Sequence, residues 1–261
     1  MRIDAVFVQD GERYKATELA LGPWAPGALH GGASAALLVH AFNEHSPSPG
    51  LRIARVTYEF VRPVPLGPLS VAVKVVRPGR RVALLDAVLA DADGTEVTRA
   101  RALFVAPAEF GVDEPPSGPP PFPGPEHGTT NDWPEPHPRM FATEGMEIRF
   151  VEGRFREPGA ATAWLRLPYP LIRGLPTAPL ERVAAAGDFG NGIASVLSWD
   201  EHLFINPDLT IYIEREPAGE WVALQSEMRV ALGSVAVAES VLWDETGRIG
   251  RAIQSLVVGT R

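Results

Sequence analysis

The chain has 261 residues, 45% of them hydrophobic, which is enough for one large or two medium domains with a core in each. Its 32 acidic against 24 basic residues give a net charge of −8 and argue against a nonspecific nucleic-acid binder. Cysteine is absent, which excludes a disulfide framework, a thiol nucleophile and a cysteine-held metal.

Met1-Arg2-Ile3-Asp4 places an acid where a signal peptide needs an apolar run. No stretch reaches the roughly 20 apolar residues of a membrane span, so a cytoplasmic protein is expected. The first predicted element is a helix from Gly31 to about His45, rich in Ala and Leu and stopped by Ser46-Pro47-Ser48-Pro49-Gly50. Its small residues let another backbone approach closely, which suits a helix wrapped by a sheet. A strand over Ile53 to Val61 follows, then a meander: Ser70 to Val76, the turn Arg77-Pro78-Gly79-Arg80, Val82 to Ala90, the turn Asp91 to Gly94, and Val97 to Val105.

Ala106 to Arg139 holds 11 of the 26 prolines, including Pro119-Pro120-Pro121. Proline removes backbone donors and fixes φ, so this segment is expected to be a surface connector outside both sheets, with a lid over a substrate as the alternative. The chain thus divides into 1–105, a linker 106–139, and 140–261. The second part repeats the plan with strands over Leu209 to Ile213, Trp221 to Val230, Val235 to Trp243 and Ile249 to Val258, and a turn at Asp244 to Gly247. Both parts read as α+β, an antiparallel sheet with a helix on one face.

The two parts also echo one another residue by residue. Val56-Thr57-Tyr58-Glu59-Phe60 is matched by Leu209-Thr210-Ile211-Tyr212-Ile213, an offset of 153 residues. Asp91-Ala92-Asp93-Gly94 meets Asp244-Glu245-Thr246-Gly247 at the same 153, and Arg99-Ala100 meets Arg251-Ala252 one residue short of it. Upstream, His30-Gly31-Gly32-Ala33-Ser34-Ala35-Ala36-Leu37-Leu38 is echoed by Phe189-Gly190-Asn191-Gly192-Ile193-Ala194-Ser195-Val196-Leu197, preceded by Asp188. A repeat that keeps its order of elements means two copies of one fold, and polar differences between copies mark where function has concentrated.

Leu29-His30-Gly31-Gly32, Arg62-Pro63-Val64-Pro65-Leu66-Gly67, Asp188-Phe189-Gly190-Asn191-Gly192, Asp208-Leu209-Thr210 with Arg215-Glu216-Pro217, and Ala252-Ile253-Gln254-Ser255-Leu256 resemble, in order and spacing, the thioesterase-like proteins related to bacterial acyl-CoA thioesterase II. The resemblance covers nearly all of the chain outside the linker. It implies a double hotdog, two tandem repeats whose sheets each wrap a helix. It also implies hydrolysis of acyl-CoA without a metal, cofactor or covalent nucleophile. An acid in the second-repeat helix, a hydroxyl before the next strand and a Gln in the last strand would hold the attacking water; these positions fall on Asp188, Asn206 and Gln254. Asn206 departs from the hydroxyl. Its amide can donate and accept, yet Asn206-Pro207-Asp208 is also a strong turn signal, so both roles stand open.

Thioester hydrolysis needs an activated water and a stabilised oxyanion. Asp188 can accept the water's proton, with N-capping of the helix after it as the alternative. Backbone N–H groups near Gly190 and Asn191 are candidate oxyanion donors, and Gly31 and Gly32 are further substrate-contact candidates. Gln254 stands where the first repeat has Ala102, either inside the sheet with partners or facing outward. His30 is a candidate base for hydrating an enoyl thioester, a substrate contact, or a helix cap. The other histidines, His40, His45, His127, His137 and His202, lack metal-ligand spacing. Arg77, Arg80, Arg81, Arg52, Arg55 and Arg62 could meet CoA phosphates or be solvated. A noncatalytic acyl-CoA binding protein is the alternative from outside enzymes, and exposed sheet edges suggest a homo-oligomer.

Overall fold

The computed structural model describes residues 3–107, 118–130, 133, 137–231 and 235–261. Strands β1 (Phe7–Asp10) and β2 (Arg13–Ala16) form a hairpin, followed by α1 (Gly31–Glu44) and then β3 (Arg52–Phe60), β4 (Pro68–Arg77), β5 (Val82–Ala90) and β6 (Glu96–Val105). In the second part come β7 (Thr129–Thr130), β8 (Glu147–Glu152), β9 (Ala161–Arg166), α2 (Pro179–Gly187), α3 (Gly190–Ile193), β10 (His202–Ile205), β11 (Asp208–Ile213), β12 (Trp221–Val230), β13 (Ala236–Asp244) and β14 (Gly247–Thr260). Among the described residues no helix is long and apolar enough to cross a membrane.

The strands join in one continuous antiparallel sheet in the order β1-β2-β4-β5-β6-β3-β11-β14-β13-β12-β9-β8-β7, with β10 paired to β14 beside this path. Each half has the same internal order, and the halves meet where β3 pairs with β11. Thr57 faces Thr210 there, with their Oγ1 atoms 3.2 Å apart. Tyr58 pairs with Leu209 and Val56 with Ile211, so the register is symmetric about the two threonines. The residues equated by the repeat therefore sit on its local two-fold axis.

Alternation decides which side chains face the helices. Along β5, Ala83, Leu85, Ala87 and Leu89 are fully buried, and along β13 Ala236, Ala238, Ser240 and Leu242 are buried in the same way. Helix α1 is buried from Gly32 to Phe42. Its small residues allow backbone contact with α2, since a Cβ on Gly32 would collide with the Ala185 carbonyl oxygen.

The structure corrects three expectations. The second-half helix lies before Asp188, not after it: α2 starts with Pro179, and Glu181 Oε2 accepts from the Ala178 N–H at 2.8 Å. The echoed string Phe189 to Leu197 forms only the short α3, because two glycines weaken a helix there. The linker is not wholly outside the sheets, for Thr129–Thr130 adds an edge strand to β8, although it leaves the sheet interior uninterrupted. Trp164 Nε1 donates to the Pro123 carbonyl at 2.8 Å and ties that part of the linker to β9. Linker residues 108–117, 131, 132 and 134–136 lie outside the described residues. Beyond these corrections, the hairpins β1–β2 and β8–β9, which flank β4 and β12 respectively, add strands not expected from periodicity.

Candidate active site

The antiparallel packing of α1 on α2 carries Asp188, the residue closing α2, to the start of α1. Its carboxylate is 4% exposed. A Cβ on Gly31 would lie 2.6 Å from Asp188 Oδ2 and 3.0 Å from the Phe60 ring, so glycine is what lets the carboxylate rest against the positive end of α1. Asp188 caps no following helix with its side chain, which removes the N-cap alternative.

Gln254 projects from β14 into the same space and is 1% exposed, so it does not face outward. Its Nε2 donates to Asp188 Oδ1 at 3.1 Å and to the Asp188 carbonyl at 3.2 Å, while its Oε1 accepts from the Asn191 N–H at 3.2 Å. All of its amide groups are thereby engaged, and the buried amide is satisfied. Asn206, between β10 and β11, donates from Nδ2 to Asp188 Oδ1 at 2.8 Å and to the Asp208 carbonyl at 3.1 Å. It thus serves the turn and the carboxylate together. Two acceptors at Nδ2 determine the amide's orientation and leave Oδ1 to accept from another donor.

His30 caps α1, with Nδ1 3.1 Å from the Gly32 N–H and 3.0 Å from Asp188 Oδ2. One ring nitrogen cannot serve both at once: unprotonated it accepts from Gly32, and protonated it donates to Asp188. The ring stacks on Phe189 at 4.4 Å. Behind it, burial and then the Asp188 charge push the Tyr58 hydroxyl far above its ordinary value of 10.0, so Tyr58 stays protonated.

The surroundings of Asn191 and Gly190 bear on the oxyanion role expected of their N–H groups. The Asn191 N–H is bonded to Gln254, so it is not free to receive an oxyanion. Gly190 faces the sheet: a Cβ there would stand 2.6 Å from Ser240 Oγ and 3.2 Å from Gln254 Oε1. Ser240 and Ser226, whose Oγ atoms are 2.7 Å apart, were not singled out from the sequence. The 153 offset would have found them, because it places them on Val73 and Ala87, which pair in the first half as the serines do in the second.

A cleft of about 250 Å³ is lined by Asp188, Asn206, His30, Asn191 and Gly192, with Trp24, Trp133, Phe155 and Trp199 among its other walls. Gly31, Gly32 and Gln254 are not among its lining residues. A larger hollow of about 530 Å³ lies where α1 ends and α2 begins, lined by Arg52 and Arg215 and by no member of the Asp188 cluster. The smaller cleft is the candidate because the carboxylate lines it. Of the arginines considered for the CoA phosphates, Arg52 is paired with Glu216 and Arg62 donates to the Glu96 carbonyl at 2.9 Å, whereas Arg156 and Arg261, not foreseen, border the candidate cleft.

Gly31→Ala is expected to displace the Asp188 carboxylate and lower turnover by about 10²-fold, the scale of a misplaced reacting group. Steady-state kinetics would check this, and an unchanged kcat would show that the contact between Gly31 and the carboxylate does not matter.

Models of the acyl-CoA thioesterase N-terminal domain and C-terminal domain match residues 20–105 and 116–258 respectively. Among solved structures, a candidate thioesterase from Novosphingobium aromaticivorans DSM 12444 is 25% identical, covers 97% of this chain and 98% of its own, and superposes with a TM-score of 0.72. A hot dog fold protein of unknown function from Alicyclobacillus acidocaldarius is 18% identical over 99% of this chain and 97% of its own, TM-score 0.74. An acyl-CoA thioesterase II from Mycobacterium marinum is 17% identical over 97% and 93%, TM-score 0.66. No curated protein matches the chain. With both domain models matched in order on a continuous double-hotdog sheet, the chain belongs to the acyl-CoA thioesterase family.

Proposed function

We propose that the protein hydrolyses an acyl-CoA thioester by attack of a water that Asp188 deprotonates. The observation that carries this reading is a buried carboxylate at a cleft wall, with Oδ1 held by the Asn206 and Gln254 amides and Oδ2 beside the start of α1. A carboxylate fixed on one oxygen keeps a defined lone pair for proton transfer, and the amides make no competing base.

The water gives one proton to Asp188 as its oxygen bonds to the thioester carbonyl carbon. The carbonyl oxygen becomes an oxyanion, which the positive end of α1 beside Asp188 stabilises. Collapse of the tetrahedral intermediate breaks the carbon–sulfur bond, and the departing CoA thiolate takes the proton back from Asp188. Free acid and CoA result. Asn206 Oδ1 is the natural acceptor of a hydrogen bond from the water's other O–H, whose proton stays on the product acid, while Gln254 is a positioning residue acting through Asp188.

Release of free thiol from a panel of acyl-CoA esters tests the reading. Thiol and acid should appear in equal amounts. Tight binding of acyl-CoA without thiol release would establish a binding protein instead. Water added to an enoyl-CoA without thiol release, and lost in His30→Ala, would establish a hydratase. Gln254→Ala is expected to lower kcat by about 10²-fold with a smaller change in KM, because it frees the carboxylate to turn without removing a substrate contact. Equal losses in kcat and affinity would contradict a positioning role.

A further inference from the structure

Three of the chain's six tryptophans, Trp24, Trp133 and Trp199, line the cleft that contains the Asp188 carboxylate. They arrive from separate connections: Trp24 ahead of α1, Trp133 in the linker, and Trp199 between α3 and β10. Phe155 joins them from the β8–β9 connection. Each ring is held by another. Trp24 stacks on Trp199 with centroids 5.3 Å apart and planes 10° apart, and Phe204 meets both edge-on at 5.3 and 4.7 Å. Phe155 lies 5.1 Å from Trp199 and 4.7 Å from Trp133. Interlocked rings cannot swing aside independently, so the cleft presents rigid aromatic walls.

The space between these walls is small. Its volume of about 250 Å³ falls below the roughly 300–1,000 Å³ of pockets that take drug-sized ligands. A long alkyl chain would need to continue inward between the helices and the sheet. That route is closed: α1 touches the α2 backbone at Gly32, a Cβ on Gly187 would stand 2.9 Å from Ile211 Cδ1, and Ala33, Ala35, Leu37 and Leu38 are completely buried.

We infer that the acyl group taken by this site is compact and aromatic, a benzoyl- or phenylacetyl-type thioester of CoA, lying against the aromatic walls with its carbonyl beside Asp188 and Asn206. This rests on the thioesterase reading above and adds the substrate class. A planar ring satisfies flat walls over its whole face, whereas a flexible chain of equal volume loses rotamer freedom to touch the same surface.

The experiment compares kcat/KM for benzoyl-, phenylacetyl-, decanoyl- and palmitoyl-CoA with the purified full chain, measured by thiol release. The aromatic thioesters should exceed the two straight-chain ones by at least roughly tenfold, the discrimination one shaped apolar pocket can give. Equal or higher kcat/KM with decanoyl- or palmitoyl-CoA would overturn the inference. Trp199→Ala should reduce the benzoyl-to-decanoyl ratio by roughly tenfold and Trp199→Phe should keep most of it; a ratio unmoved by Trp199→Ala also counts against the aromatic walls. Trp24→Phe, which retains a ring, supplies the same comparison should Trp199→Ala not fold. If no thioester in the panel is cleaved, the thioesterase reading fails separately, and quenching of tryptophan fluorescence then decides the substrate class. Tighter binding of benzoyl-CoA than of decanoyl-CoA sustains it, and equal or weaker binding ends it.

Discussion

Asp188→Asn is expected to lower thiol release from acyl-CoA by about 10²–10⁴-fold, the usual loss when a general base is removed. The variant should unfold near the wild-type midpoint and bind acyl-CoA about as well. The geometry explains why chemistry and stability separate. The amide oxygen of Asn can stay at the Oδ1 position and accept from Asn206 and Gln254, now at 2.8 and 3.1 Å. Its NH₂ then takes the Oδ2 position beside His30, whose Nδ1 keeps accepting from the Gly32 N–H. Shape and the bonds at the Oδ1 position survive while proton acceptance is lost. Activity within about twofold of wild type would mean that Asp188 is structural and that another group activates the water.

The sequence made the repeat legible because alternating strands and Asp-Gly turns carry local signals that survive duplication. The Thr57 and Thr210 pairing shows how far this goes: an offset counted in residues became a contact on the local two-fold axis. Gln254 was legible in the same manner. It occupies the inward register of Ala102, and both are buried, so the exchange of an apolar residue for an amide marks the half that carries the candidate site. Asn206 was only half legible, since a turn signal says nothing about a carboxylate 18 residues earlier in the chain.

The misreadings have physical causes. His30 to Leu38 and Phe189 to Leu197 share Gly and Ala, a composition that makes strings look alike without making both helical. The actual start of α2 carried Pro179 at its first position and Glu181 two residues on, a helix-start signal that the echo obscured. Strand β9, Ala161–Arg166, is buried on both faces over its first five residues and so shows no alternation. The aromatic walls were hidden for another reason. Trp24, Trp133, Phe155 and Trp199 lie in four connections, and periodicity within an element carries no information about where loops converge.

Asp244→Ala is expected to destabilise the fold by about 2–3 kcal/mol at neutral pH, the scale of hydrogen bonds to a buried carboxylate whose arginine partner is partly exposed. Asp244 is completely buried. Arg215 reaches both of its oxygens at 2.7 and 2.6 Å, and the N–H groups of Ala218, Thr246 and Gly247 donate to it at 2.9, 2.8 and 3.1 Å. Burial alone would raise its carboxyl, but Arg215, Thr246 and the backbone donors outweigh burial and hold it at about 2, below the ordinary 3.8. A depressed carboxyl stabilises the fold fully above its unfolded value and loses that contribution as pH falls through the folded one. The stability gap between wild type and Asp244→Ala should therefore stay constant from about pH 8 to about pH 5 and narrow between 3.8 and about 2. The repeat provides the control. Asp91, its first-half counterpart, accepts from the N–H groups of Asp93 and Thr95, and Arg62, which corresponds to Arg215, turns instead to the Glu96 carbonyl. Asp91→Ala should then lower stability by only about 1 kcal/mol, the scale of a turn hydrogen bond or two. Urea unfolding of both variants across this pH range measures the difference, and equal losses would show that the Arg215 pairing adds nothing to a turn common to both halves.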